Sequence, residues 1–153
     1  MVKSGEKYMF IGLYQRFLEA KGRLAVPQAF RKQFDKGAII TRGLDGCLFL
    51  FTKAKWTEIA QKLSSTPLTS NDARAFVRLL SYEAFEVSFD SQGRILVPEV
   101  LKKFAKLTRK IIIAGSVERV EIWDDQQFEH YQTEIEKSSN QIAERLANLE
   151  IKI

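Results

Sequence analysis

The chain contains one segment of sequence twice. Residues 19–32 read EAKGRLAVPQAFRK and residues 90–103 read DSQGRILVPEVLKK. Both segments begin with a carboxylate residue, Glu19 in the first and Asp90 in the second. The identical pairs are Gly22 with Gly93, Arg23 with Arg94, Val26 with Val97, Pro27 with Pro98, and Lys32 with Lys103. A duplication predicts a pseudo-symmetric molecule with two copies of one surface, and here that surface is basic.

The two halves have the same order of predicted elements. Aromatic and β-branched residues from Tyr8 to Phe17 predict a strand, Gly22 predicts a turn, and Pro27 suits the first turn of a short helix. Two more strands and a helix complete the half, and the same order recurs in the second copy. A half of about 70 residues has too little core to be stable alone. We therefore predict an α+β fold, with a mainly β core and peripheral helices, in which two tandem repeats share one core.

The division of the chain follows from this repeat and from composition. The segment Ser64–Ser70, rich in Ser, Thr and Pro, is the best linker candidate. We predict a flexible N-terminal extension at residues 1–8 and a first repeat at residues 9–63. A linker with a connecting helix follows at residues 64–82, then a second repeat at 83–135 and a C-terminal helical tail at 136–153.

Two of the predicted helices have polar residues at their starts. Asn71 or Asp72 is expected to cap the helix after the linker, with Leu80 and its neighbours Phe76 and Leu79 facing inward. Asp124 is expected to cap a long, acidic, amphipathic C-terminal helix.

Charge is distributed unevenly along the chain. Residues 1–110 carry 20 Lys and Arg against 10 Asp and Glu, whereas residues 111–153 carry 4 against 9. A basic body with an acidic tail indicates a polyanionic partner for the body, although solvated surface charge explains the same imbalance.

The sequence has no long apolar run, so we predict no membrane span and no signal peptide. The single Cys allows no internal disulfide, and a reducing cytoplasm is the simplest location.

The residue types that catalysis requires are scarce. His130 is the single histidine, in the acidic C-terminal region, and it is interpreted as a surface residue. Cys47 lies in an alternating apolar strand and is interpreted as a buried small hydrophobe. The sequence has no phosphate-binding glycine loop, dinucleotide fingerprint or Cys/His metal spacing. We therefore predict no enzymatic activity, no cofactor, no metal site and no small-molecule substrate.

The duplicated turn is the candidate binding site. In each copy a Gly stands between a long polar side chain and an Arg, as Lys21-Gly22-Arg23 and Gln92-Gly93-Arg94. An Arg can pair with guanine O6 and N7 through its fork or bind phosphate, and Gly lets a partner approach closely. The alternative is that the acidic residue four positions earlier pairs with the Arg merely to fasten the turn. A surface pair of that kind contributes only about 0–1 kcal/mol.

The helix after each turn adds further basic residues. Arg31-Lys32 follows the first turn and Lys102-Lys103 follows the second. These side chains are suited to phosphate contacts that set orientation, and ordinary solvated helix positions explain them equally well. Aromatic residues do not alternate with the basic runs, as they do in single-strand binders, so double-stranded DNA is the predicted partner.

At these residues the chain resembles the MraZ family of bacterial transcriptional regulators. The matching elements are Phe10-Ile-Gly12, the KGRLAVP run at 21–27 with Phe30-Arg31, Trp56, the DSQGRILVP run at 90–98, and the VEIWD run at 120–124. The resemblance implies tandem AbrB-like swapped-hairpin barrel repeats and assembly of several subunits into a ring. It also implies sequence-specific binding to G-rich direct repeats ahead of a division and cell-wall gene cluster that includes its own gene, usually as a repressor associated with the nucleoid.

The resemblance also assigns candidate site residues. The family's Asp-x-x-x-Arg motif falls on Asp90 with Arg94, and in the first copy on Glu19 with Arg23, where Glu replaces the usual Asp. These carboxylates are expected to support the motif. The predicted DNA-binding residues are Lys21, Gly22, Arg23, Arg31, Gln92, Gly93, Arg94 and Lys102.

Two other functions are open to a chain of this kind. A ring-forming structural or interaction protein would explain an acidic C-terminal helix that docks a protein partner, with the basic face a generic polyanion surface. It would not explain the paired Gly-Arg turns. An antitoxin-like module of the same fold normally has one copy and a toxin-binding tail, and the duplication argues against it.

Overall fold

The structure is a computed structural model that describes residues 9–35 and 37–151, so the predicted extension at residues 1–8 lies outside the described residues. The described residues form eight strands: β1 Phe10–Phe17, β2 Arg23–Ala25, β3 Gly37–Arg42, β4 Leu48–Thr52, β5 Phe85–Ser88, β6 Arg94–Leu96, β7 Lys110–Val117 and β8 Val120–Asp124. The same part of the chain forms six helices: α1 Gln28–Arg31, α2 Lys53–Ser64, α3 Asn71–Ser81, α4 Glu99–Phe104, α5 Asp125–Lys137 and α6 Ser139–Asn148.

The two halves of the chain build one sheet by exchanging strands. The six-stranded antiparallel sheet has the order β1-β7-β8-β4-β3-β5. The first strand of each half therefore pairs with the third strand of the other half, as β1 with β7 and β5 with β3. Pairing of β4 with β8 joins the halves at the centre. This arrangement confirms the prediction of an α+β fold in which the repeats share one core.

A second, two-stranded sheet lies against one face of this large sheet. Its strands β2 and β6 come from the two copies of the repeated segment and pair antiparallel, with Leu24 opposite Ile95. Both of these side chains are completely buried, together with Phe30 of α1 and Leu101 of α4. They belong to the larger hydrophobic cluster, which also takes alternate residues of the large sheet.

The opposite face of the large sheet packs against α2 and α5. Leu48 and Leu50 of β4 lie in the larger cluster. Phe49 and Phe51 lie in a second hydrophobic cluster on the opposite face, because successive strand residues point to opposite faces. The rings of Phe51 and Trp56 lie 6.0 Å apart, and Trp123 lies 5.2 Å from Tyr131. All five residues of β4 are buried because both faces of the sheet are covered.

Cys47 is buried in this second cluster, as the sequence predicted. Burial raises the pKa of its thiol, and the negative charge of Glu121 raises it further. Since the thiolate is the reactive form, we expect Cys47 to resist iodoacetamide in the native protein and to react after unfolding. Mass spectrometry of samples labelled at about pH 8, with and without denaturant, measures this, and rapid labelling of the native protein would contradict it.

The prediction for α3 was wrong in two respects. The cap is Ser70, whose Oγ accepts a hydrogen bond of 3.1 Å from the amide of Ala73, and Asn71 is already helical. Only Leu80 of the three predicted inward residues is buried, while Phe76 and Leu79 are 42% and 48% exposed. The cause is that α3 meets the large sheet near its C-terminal end, where the Thr41 hydroxyl donates to the Leu80 carbonyl at 2.8 Å.

The C-terminal region also differs from the prediction of one long helix. Asp124 does cap α5, since its Oδ2 accepts from the amide of Gln126 at 3.1 Å. The helix α5 then ends before Ser138, which has φ −114° and ψ 11°, and α6 follows as a separate helix. The pair α5–α6 thereby repeats the order of α2 and α3 in the first half. Among the described residues, no helix has the length and apolar character needed to cross a membrane.

Candidate nucleic-acid interface

Each copy of the repeated segment begins with a tight turn that glycine closes. In the first turn the amide of Gly22 donates to the Glu19 carbonyl at 2.8 Å. In the second turn the amide of Gly93 donates to the Asp90 carbonyl at 3.0 Å. The φ angles of the two glycines are +87° and +75°. Residues with a Cβ are strained in this left-handed region, which explains why the motif carries Gly here.

Backbone hydrogen bonds fasten the two turns to each other. The amide of Val26 donates to the Gly93 carbonyl at 3.0 Å, and the amide of Val97 donates to the Gly22 carbonyl at 2.9 Å. These reciprocal bonds continue the pairing of β2 with β6, which lies over the buried core. The two predicted binding motifs are therefore held side by side as one rigid surface, which we call the turn pair (residues 19–23 and 90–94).

The carboxylate of Asp90 organises the second turn. Its Oδ1 accepts hydrogen bonds of 2.9 Å from the amides of both Gln92 and Arg94. Its Oδ2 accepts a bond of 2.8 Å from Nε of Arg94. The bond that the Arg94 amide donates is the main cause that lowers the pKa of Asp90, and the bond that the Arg94 side chain donates to Asp90 raises the pKa of Arg94. Asp90 therefore remains ionised and keeps this turn closed at neutral pH.

The carboxylate of Glu19, the equivalent residue of the first turn, binds a side chain of the other repeat. Its Oε1 accepts a hydrogen bond of 2.9 Å from Nη1 of Arg94, which belongs to the other repeat. Arg23 makes one long ion pair of 3.9 Å, to Oδ2 of Asp90, also across the repeats. The side chain of Arg23 is 43% exposed, against 25% for Arg94. The two motifs thus have the same backbone but different side-chain contacts.

The short helices place basic side chains beside the opposite turn. Nη1 of Arg31 donates to the carbonyl of Gln92 at 3.3 Å. A Cβ built on Gly93 would lie 1.4 Å from that Nη1, so the absent side chain makes room for Arg31. On the other side, a Cβ on Gly22 would lie 3.6 Å from Nζ of Lys102. Lys102 also pairs with Glu99 at 3.0 Å.

The structure brings all the predicted site residues to the turn pair or its border. Lys21 and Gln92 are exposed at the two tips, Lys32 is exposed just after α1, and Lys103 is exposed on α4. Sequence reasoning missed the contacts between the repeats, from Arg94 to Glu19 and from Arg31 to Gln92. No local pattern signals a bond between residues 75 positions apart. Within residues 9–35 and 37–151, no group of His, Cys, Asp and Glu side chains could hold a metal ion.

Comparison with known proteins identifies the family of the chain. A family model described as "MraZ protein, putative antitoxin-like" matches twice, at residues 9–79 and at residues 80–149. The chain belongs to the MraZ family. This finding confirms the resemblance stated above and gives the tandem repeat an independent basis.

Individual MraZ relatives cover nearly the whole chain. The transcriptional regulator MraZ of Desulforamulus reducens is 43% identical over 92% of this chain and 99% of its own length. That of Pelotomaculum thermopropionicum is 43% identical over 95% of this chain and all of its own length. That of Ligilactobacillus salivarius is 41% identical over 94% of this chain and all of its own length.

Proposed function

We propose that the chain is a sequence-specific DNA-binding transcriptional regulator whose DNA-binding surface is the turn pair with its flanking helices. The observation that carries this proposal is the half-exposed Arg23 side chain on a tight turn that the second repeat holds in place. The names of the relatives, all transcriptional regulators, support it. A purely stabilising role does not explain why a half-exposed Arg with one long ion pair stands at this position.

The chemistry of the surface fits duplex DNA. The fork of Arg23 can donate two hydrogen bonds to O6 and N7 of a guanine in the major groove. Gly22 and Gly93 are both buried, contrary to the expectation that they let a partner approach closely, so the DNA contacts come from the side chains around them. Arg31 and Lys102, beside the turns, are placed for phosphate contacts that orient the protein on the duplex.

Membership of the family supports a finer form of the proposal. The targets are G-rich direct repeats upstream of the division and cell-wall gene cluster that contains the protein's own gene, and binding represses that cluster. The chain assembles into a ring that presents several turn pairs at once, in the cytoplasm at the nucleoid. Repeated DNA boxes then bind with a high effective concentration, so contacts that are weak singly add up to tight binding.

Fluorescence anisotropy with DNA from upstream of the protein's own gene tests the proposal. We expect binding to the native duplex about 1,000-fold or more tighter than to a scrambled duplex of the same composition. We also expect the logarithm of the association constant to fall with the logarithm of salt by about 0.9 for each phosphate neutralised. Binding to both duplexes that is equal and lost with salt would contradict the proposal and favour the ring-forming scaffold.

A further inference from the structure

We propose that the two turns have different roles, in that Arg23 reads a base whereas Arg94 is a positioning residue that Glu19 and Asp90 hold away from the bases. This inference rests on the proposed function and assigns roles within the same site. A duplicated motif would otherwise suggest two equivalent readers.

The guanidinium of Arg94 is already engaged by two carboxylates. Its Nε bonds to Asp90 at 2.8 Å and its Nη1 bonds to Glu19 at 2.9 Å. Bidentate recognition of a guanine requires two neighbouring donors of the fork. These two charge-assisted bonds use two of the five N–H donors, fix the orientation of the guanidinium and offset its charge, so a reorientation toward a base would break them. Arg94 therefore serves as a bridge between the two turns.

Arg23 is in the opposite situation. Its contact with Asp90 is a single ion pair of 3.9 Å, longer than a hydrogen bond, and nearly half of its side chain is exposed. Little is lost when such a side chain turns toward a DNA base. The geometry leaves Arg23 free to exchange partners and Arg94 fixed.

The cause of the difference is one position in the sequence. Asp90 has a short side chain that caps the amides of its own turn. Glu19, the equivalent residue, has one more methylene and bonds across the repeats to Arg94. Among the described residues, its carboxylate makes no bond to the amides of the first turn. The second turn is thus closed by its own carboxylate, whereas the carboxylate of the first turn binds Arg94 of the other repeat.

The experiment compares a panel of duplexes in which each guanine of one binding box is replaced in turn. The variants are R23A, R94A, E19Q and the double variant E19Q/R94A, and anisotropy gives the affinity of each for each duplex. We expect R23A to lose the preference for guanine at one position of the box. We expect R94A to bind all duplexes more weakly by the same factor, so that the pattern of preferences is kept.

Glu19 provides a second arm that does not depend on the folding of R94A. E19Q keeps the shape of the side chain and removes its charge, and we expect a uniform loss of affinity with preferences retained. If Glu19 acts through Arg94, the E19Q substitution has no further effect in the R94A background. An E19Q effect of undiminished size in that background would overturn the inference.

The remaining outcomes separate the inference from the function on which it rests. If R94A loses the preference for a particular guanine, or shows the same pattern of preferences as R23A, the inference is overturned and the proposed function stands. A wild-type protein that shows no preference for native over scrambled DNA overturns both.

Discussion

Replacing Phe10 with alanine is expected to lower the free energy of unfolding by about 3–5 kcal/mol. The Phe10 side chain is completely buried. Its ring stacks on Phe34 at 5.3 Å and meets the edge of Phe30 at 5.7 Å. The strand that carries it pairs with β7 of the other half. The substitution therefore leaves a cavity in the core that the two repeats share, and urea unfolding followed by circular dichroism measures the loss.

Phe17→Ala is the matched control for this prediction. Phe17 lies on the same strand, and its side chain is 54% exposed with Arg109 5.5 Å from the ring. The same change of residue type there removes little buried area, so we expect a loss below about 1 kcal/mol. Similar losses in the two variants would mean that Phe10 is not part of a shared core.

The general form of the fold was predictable because the duplication shows directly in the sequence. Two copies of the Gly-Arg turn, each followed by Pro27 or Pro98 and a short helix, gave the order of elements in both halves. The need for a shared core followed from the size of one half. The exchange of strands, with β1 on β7 and β5 on β3, was not visible from the residues alone because strand pairing is a long-range property.

The errors concern helices, where local patterns leave several solutions. Ser70, Asn71 and Asp72 are all good caps, and only the approach of α3 to β3 selects the first. The apolar spacing of Phe76, Leu79 and Leu80 indicates one helix face, but it does not say how much of that face the sheet covers. The break at Ser138 follows no glycine or proline, so the sequence around it carries no strong stop signal.

The candidate site was predictable as a set of residues but not as a geometry. The repeated motif identified both glycines and both arginines, and the structure places them together. The difference between Arg23 and Arg94 comes from the bond that Glu19 makes across the repeats. A change from Asp to Glu indicates only that the first turn departs from the motif. The partner that the longer side chain reaches is set by the packing of β2 against β6.

Arg23→Ala is expected to weaken binding to the native duplex about 5- to 150-fold, which corresponds to about 1–3 kcal/mol for the loss of a bidentate contact to guanine. The variant is expected to fold normally, because the Arg23 side chain is 43% exposed and its ion pair with Asp90 is 3.9 Å long. Anisotropy with the native and scrambled duplexes at several salt concentrations measures the effect. Binding to the scrambled duplex should change far less, because it lacks the base contact and rests on the summed charge of the surface, of which Arg23 supplies one.

Arg145→Ala separates the loss of a base contact from the loss of a charge. It removes the same charge from α6, which is outside the turn pair. If Arg23 acts only through the overall field of the protein, the two variants weaken binding to native DNA equally, and the effect of each disappears as salt is raised. If Arg23 reads a guanine, its variant alone loses the preference for native DNA, and that loss persists at salt concentrations that screen distant charges. The second result is the one that the geometry of the turn pair predicts.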